Sequence, residues 1–311
     1  MGLCVLTCAG LAQPVVATAA PSPTPSTHTS YSTSGTPFSV TISPARLTIP
    51  ADDLDSTQHV TVVNRGTDPV TLDVQLRNFV AQPDGGLSYA PDAPYGAADW
   101  AHVSPTHLTL QSGESTLVDA TFDVPAKREP GDHQLALIFL APSGKTAGNI
   151  AVNRGIGAPV YLTVPGPVDD SVRLDSLRSS FWSFRGDPDL TLHLTSTGTV
   201  HRDFRGPTAL PVGTSRHLGR FSDFTVSRGA ERVVSTTWDA PLVCVCHPYV
   251  TVTNAGGVPQ TVSTRVVVVP WWGLAGLGLI VILGLASVLR RRLRAALGTG
   301  GAGVPAVAGS G

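Results

Sequence analysis

Trp271 to Leu289 limits what this chain can become more than any other stretch. Those nineteen residues carry no charge, ten of them are Leu, Ile or Val, and Arg290-Arg291-Arg292-Leu293-Arg294 follows at once. A helix rising 1.5 Å per residue would reach about 28 Å over that length, close to the thickness of a bilayer's hydrocarbon core. Each Leu, Ile or Val favours insertion by about 0.3–0.6 kcal/mol, and membrane helices tolerate the interspersed glycines. Trp271 and Trp272 fall where an interfacial aromatic belt belongs, while Arg290, Arg291, Arg292 and Arg294 would keep the far end in the cytoplasm. The competing reading is a helix buried in a large soluble core. The sequence therefore predicts a single-pass protein of the cell membrane: helix at 271–289, N-terminus outside, and a basic, Gly-rich cytoplasmic tail at 290–311.

The residues upstream then belong outside the cell. Gly2 to Ala12 is apolar and Ala17-Thr18-Ala19 is a small-x-small cleavage pattern, so 1–19 reads as a signal peptide. It lacks a basic n-region, as it would if the start lay too far downstream. Residues 20–37 are rich in Pro, Ser and Thr and uncharged, a composition that cannot bury apolar surface and is expected to act as a disordered spacer.

From Phe38 the pattern becomes short alternating runs between turn residues. Phe38 to Ile42, Val60 to Val63, Val70 to Leu76, Leu108 to Leu110, Leu117 to Val124, Leu135 to Leu140 and Gly157 to Val164 make about seven strands. Val60–Val63 and Val70–Leu76, joined through Asn64-Arg65-Gly66, carry a hairpin-like signal. Strands of this number and spacing, without a helical run of adequate length, predict an antiparallel immunoglobulin-like sandwich. The second half repeats the first. Leu108-Thr109-Leu110, Gly113, Val118, Thr121-Phe122-Asp123 and Pro125 recur 116 residues later as Phe224-Thr225-Val226, Gly229, Val234, Thr237-Trp238-Asp239 and Pro241. Val60-x-Val62-x-Asn64-x-Gly66 recurs at an offset of 132 as Leu192-x-Leu194-x-Ser196-x-Gly198. One fold plan used twice is the expectation. The fold class is all-β, two tandem immunoglobulin-like sandwiches at 38–165 and 167–268 with one C-terminal transmembrane helix, joined stiffly at Pro165-Gly166-Pro167.

Charge and motif content narrow the chemistry. Between residue 37 and the helix lie 17 basic and 22 acidic side chains, a net of about −5, which does not suit nucleic-acid binding. No Gly-x-Ser-x-Gly, phosphate-cradling loop, dinucleotide fingerprint or His-Glu-x-x-His occurs, and there are only three Glu and two Lys in all. Neither an enzyme nor a cofactor is expected. Cys244-Val245-Cys246-His247 is the most suggestive cluster: cysteines two apart on a strand share a face, so a local disulfide, a bridge between chains, inert thiols or a soft metal site all remain open. Pro130-Gly131-Asp132-His133 reads as a turn with Asp132 bonding locally. Trp100, Trp182 and Trp238 read as core, with sugar stacking by Trp100 or Trp182 as the rival. The Phe79–Trp100 loop, with Asp84, Tyr89, Tyr95 and Trp100, exceeds what a turn needs and is the candidate ligand loop.

Ser43-Pro44-Ala45-Arg46-Leu47, the Val-x-Val-x-Asn-x-Gly segment, Leu108-x-Leu110-x-x-Gly113-Glu114-Ser115, Val124-Pro125 and Pro130-Gly131-Asp132-His133 form an ordered set. Across residues 38–165 it resembles the peptidoglycan-binding N-terminal domain of the WxL-interacting proteins, and related PapD-like immunoglobulin folds. Through Ser196-Thr197-Gly198-Thr199-Val200-His201 and the Trp pair, the second half resembles the membrane-proximal repeat of similar surface proteins. The resemblance implies secretion, a place in the Gram-positive envelope and non-catalytic binding of peptidoglycan or a cell-surface protein. The PapD-like side implies a second function, a chaperone or assembly factor pairing strand edges.

Overall fold

The computed structural model describes residues 35–142, 153–184 and 186–298. The leader at 1–19 with Cys4 and Cys8, nearly all of the spacer, and the tail beyond 298 lie outside the described residues.

Eleven strands build the first sandwich: β1 (Val40–Ser43), β2 (Leu47–Ile49), β3 (Gln58–Asn64), β4 (Val70–Arg77), β5 (Phe79–Ala81), β6 (Leu87–Tyr89), β7 (Ala101–Ser104), β8 (His107–Leu110), β9 (Ser115–Phe122), β10 (Gly131–Ala141) and β11 (Arg154–Val164). A sheet ordered β1-β3-β9-β7 faces one ordered β2-β11-β10-β4-β8. Alternation explains the layering. Val60 and Val62 of β3, Val118 and Phe122 of β9, and Leu135, Leu137 and Phe139 of β10 all turn into one core.

The count exceeds seven because both outer strands change sheets and because β5 and β6 form a separate two-stranded sheet. The chain leaves β1, crosses at Pro44 and becomes β2 beside β11; it leaves β7, crosses at Pro105 and becomes β8 beside β4. The Ser43–Pro44 and Ser104–Pro105 peptides are cis. The expected hairpin at Asn64 is instead a crossing, because β3 and β4 sit in opposite sheets. The fully buried Asn64 side chain organises it, donating to the carbonyls of Asp68 (2.8 Å) and Leu110 (3.1 Å) and accepting from Gly66 N–H (2.9 Å).

The second sandwich contains β12 (Val172–Arg178), β13 (Trp182–Ser183), β14 (Asp189–Ser196), β15 (Arg202–Phe204), β16 (Pro211–Gly213), β17 (Leu218–Arg220), β18 (Phe224–Val226), β19 (Glu231–Thr237), β20 (Cys244–Cys246), β21 (Tyr249–Thr253), β22 (Pro259–Ser263) and β23 (Val266–Val268). Its core gathers around Trp238, 1% exposed, with Leu190, Leu192, Phe221 and Val268. The internal repeat is visible in three dimensions: Gly113 (φ 76°) precedes β9 as Gly229 (φ 68°) precedes β19. Helix α1 (Trp271–Gly298) follows β23 after two residues. Among the described residues nothing buries its apolar stretch, which is long and apolar enough to cross a membrane.

Candidate functional site

Several strongly interacting polar side chains lie along the seam between the sandwiches. Arg46, placed by the β1–β2 crossing, sends Nη1 and Nη2 to the two carboxylate oxygens of Asp203 (2.7 and 2.6 Å), and Thr225 donates to the same carboxylate (2.6 Å). Burial pushes the Asp203 acid up, but the hydrogen bonds from Arg46 and Thr225 and the guanidinium charge outweigh it and hold the group at about 2. The bond to Asp203 raises Arg46 in turn. Tyr161, buried, bonds Ser227 (2.9 Å) and stacks on His201 at 4.6 Å; burial pushes its hydroxyl up.

Asp132 does not bond locally. Wholly buried, it accepts Thr163 Oγ1 (2.8 Å), the backbone N–H of His201 (2.6 Å) and the His201 ring nitrogen, while its own N–H donates to the Thr199 carbonyl (2.8 Å). Arg228 closes the other flank, donating to the carbonyls of Pro130 and Asp132 and to Glu129, its guanidinium 3.9 Å from the Tyr95 ring centre. A cleft of about 370 Å³ opens beside this seam, lined among others by Arg46, Arg205 and Arg232. Each of these cations is engaged: Arg205 by Thr225 and Asp203, Arg232 by the Pro83 carbonyl. These polar groups join the sandwiches; the Asp132 carboxylate is wholly buried, and His201, 11% exposed, lies between it and a small cleft lined by Asp203 and Arg202.

The exposed machinery is elsewhere, on the outer face of the β4-β10-β11 sheet. A groove of about 660 Å³ has Ile138 and Leu140 of β10 on its floor, Gln75 and Arg77 of β4 beside them, and Tyr89, Pro91 and Asp92 as its wall. Across from Ile138 and Leu140, β11 offers Gly157 and Gly155, and the space a Cβ would take there is bordered by the Tyr89 hydroxyl at Gly157 and by Leu140 Cδ1 at Gly155.

The adjoining edge is open as well. Gln134 sends its N–H to Tyr95 and its carbonyl to Ala97, away from β11, so the pair with Tyr161 is a non-hydrogen-bonded one. Alternation along an antiparallel ladder then makes Pro159, Gly157 and Gly155 non-bonded towards β10, their backbone groups pointing outwards. Pro159 fits this phase, since it has no N–H to lose. β2 pairs β11 only at Val160, Tyr161 and Leu162, and among the described residues no strand lies beside Arg154–Pro159 on that side.

The candidate loop contributes one of its four residues to this groove. Tyr89 stands on the rim, about half exposed. Asp84 caps its own turn, accepting from Gly86 N–H (2.8 Å), and that turn docks on the second sandwich, where Val233 N–H and Arg232 both reach the Pro83 carbonyl. Tyr95 lies under Arg228, and Trp100 is buried against His133, whose burial lowers its pKa. Trp100 therefore has no face to offer a sugar. Trp182, read as core, is half exposed, because β13 lies at a sheet margin beside α1. Cys244 and Cys246 are joined to each other, and no cluster of His, Cys, Asp or Glu able to hold a metal occurs among the described residues. Trp271 and Trp272 are exposed at the start of α1, and Arg290, Arg291, Arg292 and Arg294 are exposed on its last turns. The β11 edge leaves one local trace in the sequence, the alternation of Gly155, Gly157 and Pro159.

No protein-family model matches the chain, and no curated protein matches it; the WxL-interacting-protein resemblance has no counterpart there. Similar solved structures include the YadV chaperone (9% identical, covering 73% of this chain and 99% of that one, TM-score 0.41). The E. coli chaperone DraB is similar at 11% identity, 73% and 98% coverage and TM-score 0.39. A Salmonella enterica SafA pilin–SafB chaperone complex follows at 10%, 76% and 100%, with TM-score 0.38.

Proposed function

We propose that this chain is a non-catalytic envelope protein, held in the membrane by α1, that binds an extended segment of another protein by adding it as a strand beside β11. The observation that carries the reading is that, among the described residues, no strand pairs with the outer side of Arg154–Pro159, beside the groove at Ile138 and Leu140. An incoming strand would bond to the N–H and C=O groups of Gly155 and Gly157. Its alternate side chains would meet Tyr89 beside Gly157 and Leu140 beside Gly155, so the main chain supplies affinity and these neighbours supply selection. An assembly or chaperone role needs such a reversible edge. Wall-polymer binding through the loop is less well served, because its aromatic faces are occupied at Tyr95 and Trp100.

The test exploits the ladder phase. Gly157→Pro removes the outward N–H without touching a bond to β10, as Pro159 already does. In cells carrying p-benzoylphenylalanine in place of Tyr89, illumination should yield a protease-sensitive adduct that Gly157→Pro abolishes and Gly157→Ala weakens. An adduct unchanged by Gly157→Pro, or one that is glycan alone, defeats strand addition.

A further inference from the structure

The sheet β13-β23-β20 ends at α1, and its two flanks are apolar and uncovered. β13 runs parallel to β23, with Trp182 opposite Val267 and Ser183 opposite Val268, so Phe184 lies beyond the end of β23 on the helix side. β20 runs antiparallel, with Cys244 opposite Val268, so the preceding Leu242 and Val243 overrun the same end. The link to the helix is rigid: Val269 N–H donates to Ser183 O (2.9 Å) and Trp271 N–H to Phe184 O (3.0 Å). Phe184 and Trp182, their rings stacked 4° from parallel, are 44% and 52% exposed, while Leu242 and Val243 are 70% and 67% exposed. Neither 181–184 nor 242–246 holds a charged residue. Soluble surfaces seldom leave aromatic and aliphatic side chains gathered in this way without a partner.

From this register we infer that the helix-proximal end of the second sandwich is seated in the lipid headgroup region, with Trp182 and Phe184 on one flank of α1 and Leu242 and Val243 on the other. The inference rests on the membrane anchoring proposed above. A spanning α1 puts Trp271 and Trp272 at the interface, and only Val269 and Pro270 separate that depth from the sheet. The flanks therefore meet lipid before any protein partner can reach them. Aromatic rings are the side chains that favour this half-wet layer. The sandwich then stands at a fixed height and tilt, with its first domain carried outwards, instead of swinging on a tether.

The test uses the full chain in phosphatidylcholine liposomes containing a lipid with a photoactivatable diazirine near the headgroup. Illumination followed by peptide mass spectrometry should find lipid adducts at 181–184 and 242–243 as well as at the start of α1. The combined variant Trp182→Ser, Phe184→Ser, Leu242→Ser and Val243→Ser should lose the sandwich adducts while α1 keeps its own and the chain still resists alkaline carbonate extraction. Adducts confined to α1, or crosslinks joining 181–184 of two copies, overturn the seating while leaving the anchor intact. Extraction by carbonate with no adducts at all overturns the anchor, and the seating with it.

Discussion

Arg46 and Asp203, 157 residues apart, face each other across the seam in a two-pronged ion pair of 2.7 and 2.6 Å. Each is about a quarter exposed, so solvent screens the pair only in part. The Asp203 carboxyl is held below its unfolded value, so its contribution is complete above pH about 4 and is lost as pH falls through about 2. The shift bounds that contribution at about 2 kcal/mol, less after screening. Asp203→Asn should cost on that order at neutral pH and flatten the acid limb below pH 4. Urea unfolding of the detergent-solubilised chain across pH 2 to 7 reads both effects.

A second, milder limb comes from His133. Burial against Trp100 lowers its pKa, so the folded state binds the proton less readily than the unfolded one. Stability is therefore full above the unfolded value near 6.5 and declines as pH falls below it. His133→Phe keeps the ring contact and should remove the part of the decline that sets in below pH 6.5, leaving the Asp203 limb. An unchanged profile would show that His133 does not titrate against the fold.

Asp132 should be among the least replaceable polar residues. Asp132→Leu leaves Thr163 Oγ1, the His201 N–H and the His201 ring without their acceptor inside the seam, at a cost of about 3–5 kcal/mol. Pairing it with His201→Leu should cost clearly less than the sum of the two, because both remove the same interaction. Additive losses in a double-mutant cycle would mean that the pair is not coupled.

What the sequence disclosed, and what it did not, follows the range over which each feature is set. Alternation is local, so strands such as β3, β9 and β10 are readable, and the 116- and 132-residue offsets expose the repeat. Whether Asn64-Arg65-Gly66 returns the chain to the same sheet or carries it to the facing one is not local, since the same turn chemistry serves both. Trp182 reads as core because its neighbour in the sheet, β23, lies some eighty residues on and brings α1 with it. The open β11 edge is a property of strand order, which no single segment contains. The Asp132–His201 contact, 69 residues apart, is hidden for the same reason.

The repeat itself makes the last prediction. Arg65 and Gly66 N–H both donate to the Ser39 carbonyl (2.7 and 3.0 Å), and Thr197 and Gly198 N–H both donate to the Ser171 carbonyl (3.0 and 2.9 Å). In each case the incoming chain passes so close that a Cβ would collide with backbone: Pro37 O and Ser39 N at Gly66, Asp169 O and Ser171 N at Gly198. Backbone cannot step aside as a flexible side chain can, so Gly66→Ala and Gly198→Ala should each cost about 1–3 kcal/mol. The two sites share no partner and lie in different sandwiches, so the double variant should lose the sum of the two. Gly256→Ala, whose Cβ would meet nothing, should stay within about 0.5 kcal/mol of the parent. Urea midpoints for the four variants decide the matter: a neutral Gly198→Ala beside a damaging Gly66→Ala would mean that the two turns share a sequence pattern without sharing its physical cause.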